Sequence, residues 1–169
     1  MMKFIIVFST FFFTSLLIAE EKHDISEYDY IMRFNGIRDI IKEHHYSKDH
    51  FFRNYIIEGT IEDNFGNYGS ADTVVFAIYK DNKIIKLEWS NKITYQNGKE
   101  IFFTGFRKKG IASAGVGNSI LFEADKTLKL LIGTKCTYAI KFFKNKTFTK
   151  SKCKINKDKK RLIESLSKL

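Results

Sequence analysis

The sequence predicts a mainly β protein: one antiparallel meander β-barrel of about eight strands, flanked by an N-terminal helix and a C-terminal helix. Apolar and polar residues alternate in several short stretches between residues 53 and 155. Short turns rich in Gly, Asn, Asp and Lys join these stretches, so neighbouring strands must be antiparallel. Closure into a barrel leaves no unpaired edge strands. The alternative is a β-sandwich, which also protects its edge strands.

The first nineteen residues resemble a secretory signal peptide. One lysine precedes the apolar run "FIIVFSTFFFTSLLIA", and a charged segment follows Ala19. We expect cleavage after Ala19, a single domain over residues 20–169, and a secreted or periplasmic location. The alternative is an uncleaved N-terminal anchor, since Leu17 is bulkier than the residue usual two places before a cleavage site.

Composition narrows the class of partner. The chain is 44% hydrophobic and 28% charged, which is typical of a globular protein, and its formal net charge is +10. A basic exported protein meets anionic lipid, lipopolysaccharide or glycan surfaces more often than nucleic acid. We therefore expect no nucleic-acid partner.

The N-terminal helix is predicted over residues 25–41. Apolar residues there recur at mainly helical spacing, with Gly36 interrupting the run. These residues are Ile25, Tyr28, Met32, Ile37, Ile40 and Ile41.

The predicted strands follow in order along the chain. In 53–63, Tyr55 and Ile57 begin an apolar face, whereas 73–79 is apolar on both faces. In "IIKLEW", Ile85, Leu87 and Trp89 share a face. Further strands are predicted in a hairpin at 92–103 around Asn97-Gly98, in the small-residue stretch 111–117, in a hairpin at 119–132 around Asp125-Lys126, and in the hairpin 136–153.

The last predicted element is the C-terminal helix, in "KDKKRLIESLSKL". Its apolar residues form one stripe, with Lys and Arg on the opposite side. The stripe contains Leu162, Ile163, Leu166 and Leu169.

The two cysteines are predicted to form a disulfide. If Lys144 and Asn145 are the central residues of a two-residue turn, residue 143 faces residue 146, and Cys136 then faces Cys153. Disulfides persist in the compartments that exported chains reach. A zinc site would need two further ligands, and a redox pair would favour Cys-x-x-Cys.

The same register divides this hairpin into two faces. One face is basic and is expected to be solvated. The other places Tyr138 and Phe142 across from Thr147, Thr149 and Ser151, a mixture that suits a ligand-holding interior. The alternative is a strand that ends near water, with threonines filling a β surface.

The sequence contains no catalytic signature, and we expect no enzyme activity and no cofactor. Neither a nucleophile motif nor a phosphate-binding loop is present. His44, His45 and His50 lack the i, i+4 spacing of metal ligands on one helix face, so no metal site is predicted.

Two family resemblances follow from these patterns. A leading helix, about eight meander strands and a trailing helix in an exported chain of this size resemble the lipocalin-like, calycin-type barrels. That resemblance implies a hydrophobic or amphipathic ligand inside the barrel. Locally, "GKEIFFTGFRKKGIASAGVG" at 98–117 is similar to the central stretch of actinoporin-type cytolysins, which also place an amphipathic helix ahead of a β-sandwich.

We therefore expect an exported, non-enzymatic protein that holds a small hydrophobic, amphipathic or anionic ligand in a β-barrel. The alternative is a membrane-active, cytolysin-like protein that uses the 25–41 helix and a basic surface. Predicted ligand-binding residues are Tyr55, Ile57, Leu87, Trp89, Ile101, Phe103, Tyr138 and Phe142, with Arg107 and Lys108 in a basic rim that also includes Lys109.

Overall fold

A computed structural model of the protein describes residues 27–168. The predicted signal peptide 1–19, its cleavage site at Ala19 and the predicted helical residue Ile25 lie outside the described residues, as does Leu169.

Eight antiparallel strands close into one barrel, which confirms the predicted fold class. Each strand pairs with the next along the chain, and the last strand pairs with the first. The strands are β1 (Tyr28–Ser47), β2 (His50–Asp63), β3 (Tyr68–Lys80), β4 (Lys83–Tyr95), β5 (Glu100–Arg107), β7 (Ala114–Ala124), β8 (Lys135–Phe143) and β9 (Lys146–Ile155), with a two-residue β6 (Gly110–Ile111) beside β4.

The segment predicted as an N-terminal helix is a strand, so that prediction is wrong. Residues 28–41 lie in β1, which pairs with both β2 and β9 and completes the barrel. Tyr30 and Met32 alternate on the buried side, whereas Ile37, Ile40 and Ile41 are exposed. The apolar residues with helical spacing therefore lie on both faces of a strand. Pairing of β1 with two neighbouring strands outweighs the helical spacing of these residues.

The closing hairpin follows the predicted register. β8 ends at Phe143 and β9 begins at Lys146, so Lys144 and Asn145 form the turn. Cys136 pairs with Cys153 across the two strands, and the two residues form a disulfide.

The stretch 119–132 is not the predicted hairpin. β7 ends at Ala124, and a 3-10 helix spans Lys126–Leu131. Asp125 caps it by accepting a hydrogen bond from the backbone N–H of Thr127. The i, i+3 spacing buries Leu128 and Leu131 together, which a continuing strand would have placed on opposite faces.

Strand β4 contains an irregularity that reverses part of the predicted face. Ile78 pairs with Lys86 but Tyr79 pairs with Ile84, so Ile85 has no partner in the ladder. Ile84 is consequently buried and Ile85 is exposed, although Ile85 was predicted to share a face with Leu87.

One end of the barrel is covered by helical segments. Helix α1 (Lys157–Glu164) continues into a short 3-10 helix (Ser165–Lys168), and Ile163 and Leu166 are fully buried with Leu128 and Leu131. The predicted C-terminal helix is thus confirmed. We call this region the helix-capped end. Within residues 27–168, no helix is long and apolar enough to cross a membrane.

Candidate ligand-binding cavity

An internal cavity of about 90 Å³ lies within the barrel. Its lining includes side chains from two clusters of buried apolar residues. One cluster belongs to the helix-capped end, and the other contains Tyr55, Tyr79 and Leu87. Space of this size exceeds the roughly 10–15 Å³ that a single water needs, so the interior is not solidly filled.

Most of the side chains that were predicted to bind a ligand line this cavity. They come from strands β2, β4, β5 and β8, because alternation points every second residue of each strand inward. Eight of the ten are in the lining: Tyr55, Ile57, Leu87, Trp89, Phe103, Arg107, Tyr138 and Phe142.

Two of the predicted residues lie elsewhere. Ile101 points inward but is fully buried in the core of the helix-capped end, where its strand partner is Ala124. Lys108 and Lys109 are exposed, whereas Arg107 is buried. The expected basic rim is therefore divided: one of its three cations is inside the barrel and two are outside.

Trp89 and Tyr138 form a hydrogen-bonded pair in the cavity wall. The indole Nε1 donates to the Tyr138 hydroxyl at 3.1 Å, and the two rings meet edge to face. Glycines on β5 and β7 leave room for these rings. A Cβ at Gly105 would come within 2.5 Å of Trp89, and one at Gly117 within 2.6 Å of Tyr138.

Among the described residues that line the cavity, Arg107 is the only charged one. It is 5% exposed, and its guanidinium donates to the backbone carbonyls of Ala114 at 3.0 Å and Ile111 at 3.4 Å. Its Nε is buried without a hydrogen-bond partner. Across residues 27–168, no carboxylate forms a salt bridge with it. A Cβ at Gly115 would overlap Nη1, so only glycine there admits this arginine.

A second arginine lies at the end of the barrel away from α1. Arg38 donates to the carbonyl of Lys144 in the β8–β9 turn, and its guanidinium stacks on Phe142 at 4.7 Å. Burial raises the pKa of Tyr55, although Arg38 and Arg107 both act to lower it. Burial likewise raises the pKa of Tyr138. Both hydroxyls are therefore neutral hydrogen-bonding groups at physiological pH.

Several lining residues were not predicted. Met32 and Phe34 were missed because β1 was expected to be a helix. Asn91 and Thr73 face each other on β4 and β3, and the Asn91 amide donates to the Thr73 hydroxyl at 2.6 Å. Strand alternation could have identified Asn91, because it lies two residues after Trp89 and therefore points to the same face of the strand.

The histidines make local contacts near the β1–β2 turn. His45 pairs with Glu43 at 2.7 Å, His44 stacks on Phe52, and His50 lies against Tyr46. The part of the chain that the structure describes contains no group of three or more His, Cys, Asp or Glu side chains placed to hold a metal ion.

Comparison of the chain with protein-family models, with curated proteins and with solved structures found no significant match in any of the three. The barrel is consistent with the calycin-type architecture, and the site must be understood from its own geometry.

Proposed function

We propose that this protein is an exported, non-enzymatic binding protein that holds a small hydrophobic, amphipathic or anionic ligand inside its barrel. The observation that carries the proposal is the unfilled cavity with mainly apolar walls and a few polar groups. Small-molecule sites have this composition, since apolar walls supply affinity and isolated polar groups fix orientation. The disulfide supports export, because such bonds persist in oxidising compartments.

The membrane-active alternative loses its main support. It required an amphipathic helix over residues 25–41, and residues 28–41 are part of a barrel strand instead. Removing β1 to insert it into a bilayer would break its pairing with both β2 and β9. The ligand-binding function therefore accounts better for the described residues.

A partner for the outer surface is a separate part of the proposal. The outward residues of the closing hairpin include Lys141, Lys146, Lys150 and Lys152, all exposed. We infer that they draw the protein toward anionic lipid, lipopolysaccharide or glycan surfaces. Binding to such surfaces should weaken as salt is raised, and salt-independent binding would contradict this part.

Native mass spectrometry of the purified mature protein tests the binding function directly. We expect a small molecule to remain bound to the folded chain and to be released on unfolding. The method reports the mass of the molecule, so a positive result also begins its identification.

Two neighbouring valines give a matched pair of variants. Val75 lines the cavity, whereas Val74 is on the outer face of the same strand. Val75→Phe should fill the cavity and abolish the bound mass, and Val74→Phe should retain it. Retention in both variants, or a wild-type protein that binds no small molecule, would contradict the proposal.

A further inference from the structure

We propose that the cavity binds a small organic monocarboxylate, with the carboxylate held by Arg107 and the apolar body held by the barrel walls. The inference rests on the proposed binding function and narrows the ligand expected from the sequence: it specifies one carboxylate, a small apolar body and Arg107 as the single anchoring cation.

The first step is the buried charge. A guanidinium taken out of water is unfavourable unless an anion or a full set of hydrogen bonds compensates it. Arg107 has five N–H donors, and only two protein hydrogen bonds use them. Within the described chain the compensating carboxylate is missing, so an anionic ligand group is the natural partner for this arginine.

The second step is the geometry that holds the guanidinium. Backbone carbonyls of Ala114 and Ile111 fix its orientation, and Gly115 provides the space it occupies. A fixed, planar fork of donors matches the two oxygens of a carboxylate. The arginine therefore enters binding already ordered, which reduces the entropy lost when the anion arrives.

The third step is the number of charges. Within residues 27–168, the cavity wall contains neither Asp, Glu, Lys nor His beside Arg107. A second anionic group would be buried without a partner, and an ammonium group would lack a carboxylate to receive it. The lining thus favours a monoanion over a dianion or a zwitterion.

The fourth step is size. A cavity volume of about 90 Å³ is well above the roughly 10–15 Å³ that one water needs and well below the roughly 300–1,000 Å³ of pockets for drug-sized ligands. This volume favours a short aliphatic chain or a single ring over a long acyl chain. Ile57, Val75 and Leu87 supply the apolar contacts for such a body.

Paired probes of matched shape test the inference. Hexanoate and hexanamide differ mainly in charge, as do benzoate and benzamide, and Trp89 fluorescence reports their binding. We expect each acid to bind the wild-type protein at least about tenfold more tightly than its amide, the range of a charge-assisted hydrogen bond. The hexanoate and benzoate arms distinguish a chain-like body from a ring.

Arg107→Gln should reduce this acid-over-amide preference to about one, because the acid loses a charge-assisted hydrogen bond and the amide loses only a weaker neutral one. The matched control is Lys108→Gln, which removes the same charge from the adjacent, exposed position and should keep the preference. Arg107→Lys retains a charge but loses the planar fork, so an intermediate preference is expected. It also provides a second test if the glutamine variant does not fold.

The outcomes separate the two proposals. Equal binding of acid and amide by the wild-type protein, or an unchanged preference in both Arg107 variants, overturns the monocarboxylate inference but leaves the binding function standing. Tighter binding of palmitate than of hexanoate overturns the size limit. If no acid or amide binds and native mass spectrometry also shows an empty protein, the binding function itself fails.

Discussion

The helix-capped end and the cavity are built from the same strands but differ in how their interior is filled. At the helix-capped end, inward residues of the strands meet Leu128, Leu131, Ile163 and Leu166 from segments outside the barrel wall. Around the cavity, the wall side chains face one another across unfilled space. Extra segments, rather than larger strand residues, complete the core at the capped end.

Polar groups show the same contrast. At the helix-capped end, Asp63 accepts hydrogen bonds from the backbone of Phe65 and from the backbone and side chain of Asn67. The Asn67 amide also donates to the carbonyl of Ile163, which ties α1 to the barrel. Around the cavity, polar atoms of Asn91, Arg107 and Thr149 are buried without partners.

This difference in filling and in hydrogen bonding affects how much each region contributes to stability. Satisfied polar groups and tight filling contribute stability, whereas unsatisfied buried polar groups beside a cavity reduce it. Substitutions in the two regions should therefore have different consequences.

The largest effect on stability is expected from Leu128→Ala at the helix-capped end. Leu128 is fully buried, and its truncation should lower the free energy of unfolding by about 3–5 kcal/mol, measured by urea denaturation. Leu87→Ala beside the cavity should lower the free energy of unfolding by only about 2 kcal/mol, because that side chain already borders unfilled space and makes fewer contacts. Equal losses would contradict the proposed difference in filling.

Loss of the disulfide should come next. Cys136 and Cys153 lie 17 positions apart and belong to the core of the helix-capped end. The double variant Cys136→Ala/Cys153→Ala should lower the free energy of unfolding by about 3 kcal/mol. Without the bond, the unfolded chain is no longer held in a closed loop of that size, so the entropy of the unfolded state rises. Chemical reduction of the wild-type protein should give a similar loss, and an unchanged urea midpoint would rule out this contribution.

Gly115→Ala should have a moderate effect confined to the cavity region. The added methyl would overlap the guanidinium of Arg107, so the side chain must move, at a cost of about 1–3 kcal/mol. Val116→Ala is the matched control, because Val116 is exposed on the outer face of the same strand. Its effect should stay within about 0.5 kcal/mol in the same thermal or urea assay. Equal effects would show that Arg107 is not held against Gly115.

The smallest expected effect is a pH dependence that originates at Asp63. Burial raises the pKa of its carboxyl above 3.8, the ordinary value for an aspartic acid. Folding therefore favours the protonated form. The stability that this preference contributes is fully present below pH 3.8 and is lost as pH rises through the folded pKa.

Asp63→Asn should remove this pH dependence. The variant has no titrating group there, so its free energy of unfolding should fall less than that of the wild-type protein as pH is raised. Its stability at acid pH should be lower, because Oδ2, which accepts from Asn67, is replaced by a donor. Asp72→Asn, at an exposed position, should keep the wild-type profile in urea titrations at several pH values.

The barrel and most of its inward-facing residues could be predicted, because they follow from patterns among residues that are close together in the sequence. Alternation assigns inward residues such as Tyr55 and Ile57, and a two-residue turn fixes the partner of every residue in the last hairpin. From that register the Cys136–Cys153 bond and the inward position of Tyr138 both follow.

The errors have a common physical origin in long-range pairing. Nothing local indicates that β9 will pair with β1, so the spacing of apolar residues in β1 wrongly predicts a helix. The bulge at Ile85 arises from the alignment of β3 with β4 rather than from the residues of "IIKLEW" themselves. The buried position of Arg107 depends on Gly115, a residue on a different strand.

The pairing of β1 with β9 also has a consequence for the time course of folding. Tyr28 pairs with Ile155, so the barrel is closed by pairing of its first strand with its last strand. Such non-local contacts slow folding, typically to milliseconds or seconds in all-β domains. During synthesis β1 can pair with β2 early, but its second neighbour β9 is the last strand to emerge, and until then the helical spacing of the apolar residues in β1 favours a competing structure. Export as an unfolded chain would place this closure, together with disulfide formation, after transport.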